Sequence, residues 1–214
     1  MKIVKCEGVD LNIYDGPVGI TVSGGADSAI LLYYLMKHSK DTIHIFSLGN
    51  NQRYRRNVNV ALQIVETCIT LTKNSNVEHH IRYCDVQTHD EVFHMPKQFV
   101  EDKRVKVVYN GTTCNPPKEV TDTFRLPVSR PRDPNVKHDV LSFGGVAYTP
   151  FANIDKKVIA DMYREEMLEV LFKMTRSCEY DPTSNFFENI KDPGLAHCGH
   201  CWWCEERKWA FGRV

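Results

Sequence analysis

Ser23-Gly24-Gly25-Ala26-Asp27-Ser28 places two hydroxyls, a carboxylate and two glycines within six residues. The apolar run Val18-Gly19-Ile20-Thr21-Val22 precedes it, and Ala29-Ile30-Leu31-Leu32-Tyr33-Tyr34-Leu35-Met36 follows. That order predicts a strand, a small-residue turn and a helix N-terminus. Backbone N–H groups and the helix dipole favour an anion there. Glycines let a phosphate approach the backbone, and Ser23 and Ser28 add hydroxyl donors. Asp27 repels a phosphate, so its place is to hold a metal ion or to order the loop. A plain helix cap uses the same residue types. Six matched positions between a strand and a helix favour the anion site instead.

The second chemical cluster is Cys198-Gly199-His200-Cys201-Trp202-Trp203-Cys204, two overlapping C-x-x-C steps, with Cys178 upstream. Four thiolates suit tetrahedral zinc, so Cys178, Cys198, Cys201 and Cys204 are the expected ligands. Nineteen residues separate Cys178 from Cys198. Zinc closing such a loop contributes on the order of 10 kcal/mol to folding. An iron–sulfur cluster takes the same four cysteines, a redox C-x-x-C is a further alternative, and His197 or His200 could replace one ligand. Cys68 and Cys84 read as ordinary thiols, whereas Cys114 falls in a candidate active-site loop.

The elements that position these groups follow from patterning. Thr42–Leu48 reads as a second strand, Val77–Cys84 as a third and Val105–Tyr109 as a fourth. A helix with Val58, Ala61, Leu62, Val65, Cys68 and Ile69 on one face lies between the second and third. His79 and His80 read as strand surface positions rather than metal ligands. Pro96 argues against a long helix between Asp85 and Gln98. Asn115 to Pro134 carries five prolines and reads as an extended loop. Asp155 is the expected cap of a later helix, whose apolar pattern continues through Met162, Met167, Leu168, Val170 and Leu171.

Strands alternating with helices predict an α/β fold with a doubly wound, mostly parallel sheet, and a small C-terminal helical, zinc-binding segment. The expected division is 1–150 and 151–214. Ligands bind at the carboxyl ends of such strands. Ser23–Ser28, Ser47–Arg56, Asp85 onward and Asn110–Thr113 are therefore expected to converge.

The chain has 214 residues, 42% of them hydrophobic, with 27 basic and 27 acidic side chains. That balance gives no global bias toward nucleic acid or membrane. No apolar run spans a bilayer, and Met1–Glu7 lacks the apolar core of a signal peptide. A cytoplasmic location is expected, and eight cysteines there point to metal or chemistry before disulfides.

The loop lacks the Lys of a Walker motif and the Rossmann glycine spacing. It resembles the PP-loop, SGGxDS, of ATP pyrophosphatases, which split ATP between its α- and β-phosphates. Taken with the cysteine segment, the chain resembles the 7-cyano-7-deazaguanine (preQ0) synthases within that group. Asn51-Gln52-Arg53-Tyr54 looks like a drifted form of that family's Tyr-Gly-Gln-Arg/Lys-His segment. Thr149-Pro150-Phe151 with Asp155, Lys156 and Ile159 resembles another. Thr175-Arg176-Ser177-Cys178 and Cys198 through Arg207, then Ala210-Phe211, match its zinc segment closely. The resemblance departs after Gly111, where Thr112-Thr113-Cys114-Asn115-Pro116-Pro117 replaces a Tyr-Pro-Asp-Cys run. Such drift suits a phage-encoded or defence-associated relative.

The resemblance implies a cytoplasmic ligase that turns 7-carboxy-7-deazaguanine and ammonia into a nitrile. It would consume ATP with Mg²⁺ as substrate and carry a structural Zn²⁺. It implies catalytic roles for Ser23, Asp27, Ser28 and Lys156, with Arg53, Lys156 and Arg207 as cations around the phosphates. Nucleotide would rest on Ser23, Gly24, Gly25, Ala26, Asp27, Ser28, Ser47, Leu48, Arg53 and Gly111. A homodimer is implied by resemblance only. The alternatives are a different PP-loop enzyme (tRNA thiolation, amidotransferase or sulfonucleotide reductase type) or a non-catalytic zinc-knuckle nucleotide-binding module.

Overall fold

The computed structural model describes residues 1–50, 55–84, 89–125, 132, 145, 147–178 and 197–214. An antiparallel hairpin opens the chain, β1 (Lys2–Cys6) and β2 (Val9–Ile13). Glu7 and Gly8 at its tip both have positive φ, 42° and 77°, the geometry of a two-residue primed turn. There follow β3 (Val18–Thr21), α1 (Ala26–His38), β4 (Ile43–Asn50), α2 (Arg55–Thr72), β5 (Val77–Cys84), α3 (His89–Glu101) and β6 (Val108–Tyr109). The chain continues through α4 (Lys118–Thr121), β7 (Ala147–Tyr148), α5 (Lys156–Glu165), α6 (Glu169–Lys173) and α7 (Trp202–Phe211).

Five strands form a parallel sheet in the order β5-β4-β3-β6-β7. The order reverses at β3, where β4 lies on one side and β6 on the other. A crevice opens at the carboxyl ends of strands at such a reversal. The expected doubly wound sheet is therefore present. On one face Phe93 and Phe99 of α3 pack with Phe46, Val105 and Val108. On the other, α1 and α2 share the main core with Ile20, Ile43 and Ile45. Ten residues of α1 are buried, because α2, α5 and α6 pack around it as well as β3. The Tyr109 hydroxyl ties the hairpin to the sheet. It donates to the Asn12 carbonyl at 2.7 Å and accepts from the Tyr14 N–H at 3.0 Å.

Several sequence expectations are corrected. Helix α3 runs through Pro96. A helix-interior proline costs about 3 kcal/mol, and burial of Phe93 and Phe99 against the sheet offsets that cost. Strand β6 is two residues long rather than Val105–Tyr109. Val105 and Val107 are still buried beneath it. The proline-rich stretch contains the short helix α4, begun after Pro117. Leu62 faces outward, and Val60 and Ile64 take the buried face of α2 instead. Met167 is 87% exposed and Val170 59% exposed. The chain turns through a left-handed Met167 (φ 52°) after α5, which leaves these two side chains outside, while Met162, Leu168 and Leu171 are buried as expected. Asp155 caps α5 as expected, accepting from the Lys157 N–H at 2.8 Å. No helix among the described residues is long and apolar enough to cross a membrane.

Candidate functional site

The Ser23–Ser28 loop is held by its own side chains. Ser28 Oγ accepts from the Ser23 N–H at 3.3 Å and donates to the Gly25 carbonyl at 3.1 Å. Gly24 turns the chain with φ +90°, and a Cβ there would lie 3.2 Å from Val60. Gly25 is the N-cap of α1 and has no side chain to satisfy the first-turn N–H groups. Those groups are the natural partners of an anion. From outside the loop, the Arg176 N–H donates to the Gly24 carbonyl at 2.8 Å.

Beside the loop lies a cavity of about 210 Å³. Ser23, Asp27 and Ser28 line one side, Ser47 and Leu48 another, and Asn110–Thr113 a third. The four expected stretches thus meet in part: residues 51–54, with Arg53, and 85–88 lie outside the described residues. Phe46, Leu48, Val92, Met95 and Pro96 give the cavity an apolar wall. Arg132 and Trp203 stand on its wall with Thr112 and Thr113. Ser47 Oγ donates to the Val22 carbonyl at 2.9 Å and lies 2.9 Å from His79 Nε2. The first contact ties β4 to the residue that follows β3, and the second ties β4 to β5. Gly111 permits a backbone approach: a Cβ there would stand 2.8 Å from the Ser28 nitrogen.

Asp27 is the pivot of the charge distribution. Its Oδ2 lies 3.1 Å from Lys156 Nζ, and its Oδ1 is buried with no hydrogen-bond partner among the described residues. Burial outweighs the Lys156 charge and holds the Asp27 carboxyl above the usual carboxylate range. Lys156 Nζ also lies 2.9 Å from Glu206 Oε2. Burial would strip its proton, but the Asp27 and Glu206 charges win and hold its pKa above the ordinary value. Glu206 in turn pairs with Arg132, whose guanidinium donates to Asn115 Oδ1 at 2.7 Å and Thr113 Oγ1 at 2.9 Å. Two acids and two bases therefore balance in one buried row from the loop to α7.

Lys156 is accordingly engaged with Asp27 and Glu206 and is not among the residues lining the cavity. Arg207 lies away from it too, donating to Thr175 Oγ1 at 2.8 Å and the Phe172 carbonyl at 3.2 Å. The guanidinium sits 3.9 Å from the centre of the Phe172 ring, a packing role. Arg132 and the Arg82–Glu91 ion pair (3.0 Å) on the cavity wall left no signal in the sequence, and the pairing of the buried Glu206 with Lys156 and Arg132 left none either. Glu206 was visible only as one charge after a cysteine. Arg132 was hidden among prolines, with no spacing to connect it to the loop.

Cys178, Cys198, Cys201 and Cys204 come together as expected, their sulfurs all within 4.8 Å of one another. A zinc–sulfur bond of about 2.3 Å places tetrahedral sulfurs about 3.8 Å apart. Cys198 Sγ and Cys204 Sγ are 3.9 Å apart. Backbone N–H groups of Cys198 and Cys201 approach the sulfurs of Cys178 and Cys198 at 3.3 and 3.2 Å. This donor set fits a zinc site. His200 Nδ1 lies 2.7 Å from the Cys198 carbonyl and His197 Nδ1 lies 3.8 Å from Cys204 Sγ, so both histidines flank the four sulfurs.

A family model described as asparagine synthase matches residues 11–93, which include the Ser23–Ser28 loop. No curated protein sequence matches the chain. Among solved structures, NMN synthetase from Francisella tularensis aligns at a TM-score of 0.44 and 13% identity. The alignment covers 92% of this chain and 77% of that one. The U34-tRNA thiolase NcsA from Methanococcus maripaludis, with its 4Fe-4S cluster, aligns at 0.44 and 12%, over 72% of this chain and 57% of that one. The NH3-dependent NAD synthetase from Campylobacter jejuni aligns at 0.42 and 14%, over 73% and 66%.

Proposed function

We propose that this chain is an ATP-dependent C–N ligase of the 7-cyano-7-deazaguanine synthase type, acting on a small deazapurine acid and ammonia. The observation that carries the reading is Asp27, a side chain lining the same cavity as the Ser23–Ser28 loop, whose buried Oδ1 has no hydrogen-bond partner among the described residues. A carboxylate oxygen left bare beside a phosphate-binding turn is explained when the ATP arrives with its magnesium ion. Mg²⁺ supplies charge neutralisation on the phosphate oxygens. Ser23, Ser28 and the first-turn N–H groups of α1 stabilise negative charge on the α-phosphate and the departing pyrophosphate. The apolar wall from Phe46 to Pro96 accepts the adenine, next to Ser47 and Leu48. Lys156 acts through Asp27 as a positioning residue.

The acceptor takes the other end of the cavity, where Trp203 offers a ring face and Arg132 a cation. Its carboxylate oxygen attacks the α-phosphorus, and the bond to the β-phosphate bridging oxygen breaks, releasing pyrophosphate. Ammonia attacks the acyl carbon, AMP leaves and a proton is lost, giving the amide. In a second turnover the amide oxygen attacks the α-phosphorus of another ATP, taking the adenylyl group and releasing a second pyrophosphate. Loss of AMP and the remaining N–H protons leaves the nitrile. Zinc on Cys178, Cys198, Cys201 and Cys204 is structural, because four thiolates leave no open coordination position. The division into 1–150 and 151–214, and a homodimer, remain part of the same proposal.

The test is pyrophosphate and AMP release from ATP, with the organic product followed by mass spectrometry. Release that depends on both 7-carboxy-7-deazaguanine and ammonium supports the reading. ATP turnover indifferent to that acid would sink it.

A further inference from the structure

We propose that His44, Glu78 and His80 form a second metal site, for a divalent ion of the zinc, cobalt or nickel class, on the α3 face of the β4–β5 ladder. The register sets His44 opposite Glu78 and Phe46 opposite His80. Alternate residues of a strand share a face, so these side chains project together.

The three ligand atoms form a nearly regular triangle. His44 Nδ1 lies 3.1 Å from His80 Nε2 and 3.3 Å from Glu78 Oε2, and His80 Nε2 lies 3.7 Å from the same oxygen. Metal–nitrogen and metal–oxygen bonds of about 2.0–2.2 Å at tetrahedral angles require edges of about 3.3–3.6 Å. Only a few tenths of an ångström separate the observed triangle from that. Two imidazoles and one carboxylate are a borderline donor set, suited to zinc, cobalt or nickel rather than magnesium or calcium.

The surroundings favour ligation. Phe99 packs edge-on against both rings and Phe46 stacks on His80, fixing their orientation. Glu78 is 55% exposed at its side chain, which leaves the outer side open for water to complete the coordination. Arg104 is the nearby cation and opposes an ion, but it lies on the Phe99 ring at 3.7 Å. The Glu78 carboxylate offsets it. Because β5 ends the described sheet, the ion would staple its outermost strand to β4. The site is separate from the four-cysteine cluster and does not depend on the proposed ligase activity.

The test uses the tag-free full chain with zinc already bound by the cysteines, its content measured by elemental analysis. Cobalt(II) is then titrated by calorimetry and by visible absorption. The expected result is one additional equivalent with weak ligand-field bands of nitrogen and oxygen ligation, and no thiolate-to-cobalt charge transfer. Glu78→Gln and His80→Gln, both at least partly exposed, weaken it tenfold or more while the cysteine-bound zinc is retained. Neither depends on the buried His44, whose replacement could disturb folding. Absence of an additional equivalent overturns the proposal. So does an additional equivalent with thiolate charge transfer, or one that both variants bind as tightly as the unaltered chain.

Discussion

The ammonium of Lys156 lies 2.9 Å from a carboxylate oxygen of Glu206, and both side chains are almost wholly buried. Glu206 belongs to α7, the helix that starts at the cysteine cluster, and Lys156 reaches on to Asp27 in the Ser23–Ser28 turn. Glu206→Ala leaves Lys156 and Arg132 without their shared counter-charge. Breaking a buried pair in this way costs about 3–5 kcal/mol. The expected outcome is a matching fall in unfolding free energy, read by urea titration, together with loss of pyrophosphate release.

Asp27→Asn keeps the size of the side chain and removes its charge. Folding should persist, since Lys156 retains Glu206 as a partner. Pyrophosphate release should fall by about two orders of magnitude, the scale of losing one electrostatic group in an active site. A magnesium titration that is shallow in this variant and steep in the unaltered chain would locate the defect. Equal activity in both proteins would remove Asp27 from the proposed role.

Ser28→Ala removes the hydroxyl that bridges the Ser23 N–H and the Gly25 carbonyl. A hydrogen-bonding loss of about 1 kcal/mol in stability is expected, with a larger fall in kcat than that alone produces. Gly111→Ala acts differently. Its methyl group would meet the Ser28 nitrogen at 2.8 Å, and overpacking of this kind costs about 1–3 kcal/mol. Thermal unfolding separates the two, because Gly111→Ala should be the less stable of the pair.

Removal of metal by a strong chelator should lower the melting temperature and release one equivalent of zinc. Cys178→Ser should do the same without chelator. The expected loss is several kcal/mol, less than the on the order of 10 kcal/mol of gross binding, because α5 and α7 also pack on each other. An unchanged melting curve would argue against a structural site. Iron in the elemental analysis would assign the cluster to iron–sulfur chemistry.

Glu166 gives an acid-dependent contribution. Burial pushes its pKa up, but hydrogen bonds from Lys37 (2.6 and 2.8 Å) and Tyr33 (2.9 Å) win and lower it. A carboxyl with a depressed folded pKa adds stability above its ordinary titration range, and that stability is lost as pH falls through the folded value. Glu166→Gln should therefore cost about 1 kcal/mol near pH 7. The difference from the unaltered chain should close under more acidic conditions. Parallel urea titrations at pH 7 and pH 3 read it directly.

How far the sequence reached depended on what kind of signal each residue left. Ser23–Ser28 and the four cysteines were legible because their spacing is local and their chemistry leaves few alternatives. The strands β3, β4 and β5 were legible from short apolar or alternating runs. Leu62 and Val170 were misplaced because helical periodicity alone does not show which neighbours cover a face. Pro96 misled because tertiary packing of Phe93 and Phe99 overrides a local penalty. Arg132 and Glu206 were invisible for a different reason. They become partners only after 74 residues of chain have folded back on themselves, and no local pattern encodes that meeting.

The backbone bond from Arg176 to Gly24 has a temporal side. A ribosome delivers Gly24 long before Arg176, so the Ser23–Ser28 turn is made early and braced late. Until the later segment emerges, the turn has lost one of its outside supports, and the buried row through Glu206 is still incomplete. Competence for nucleotide should therefore wait until Arg176 and Glu206 have both been delivered, rather than arrive with the turn itself.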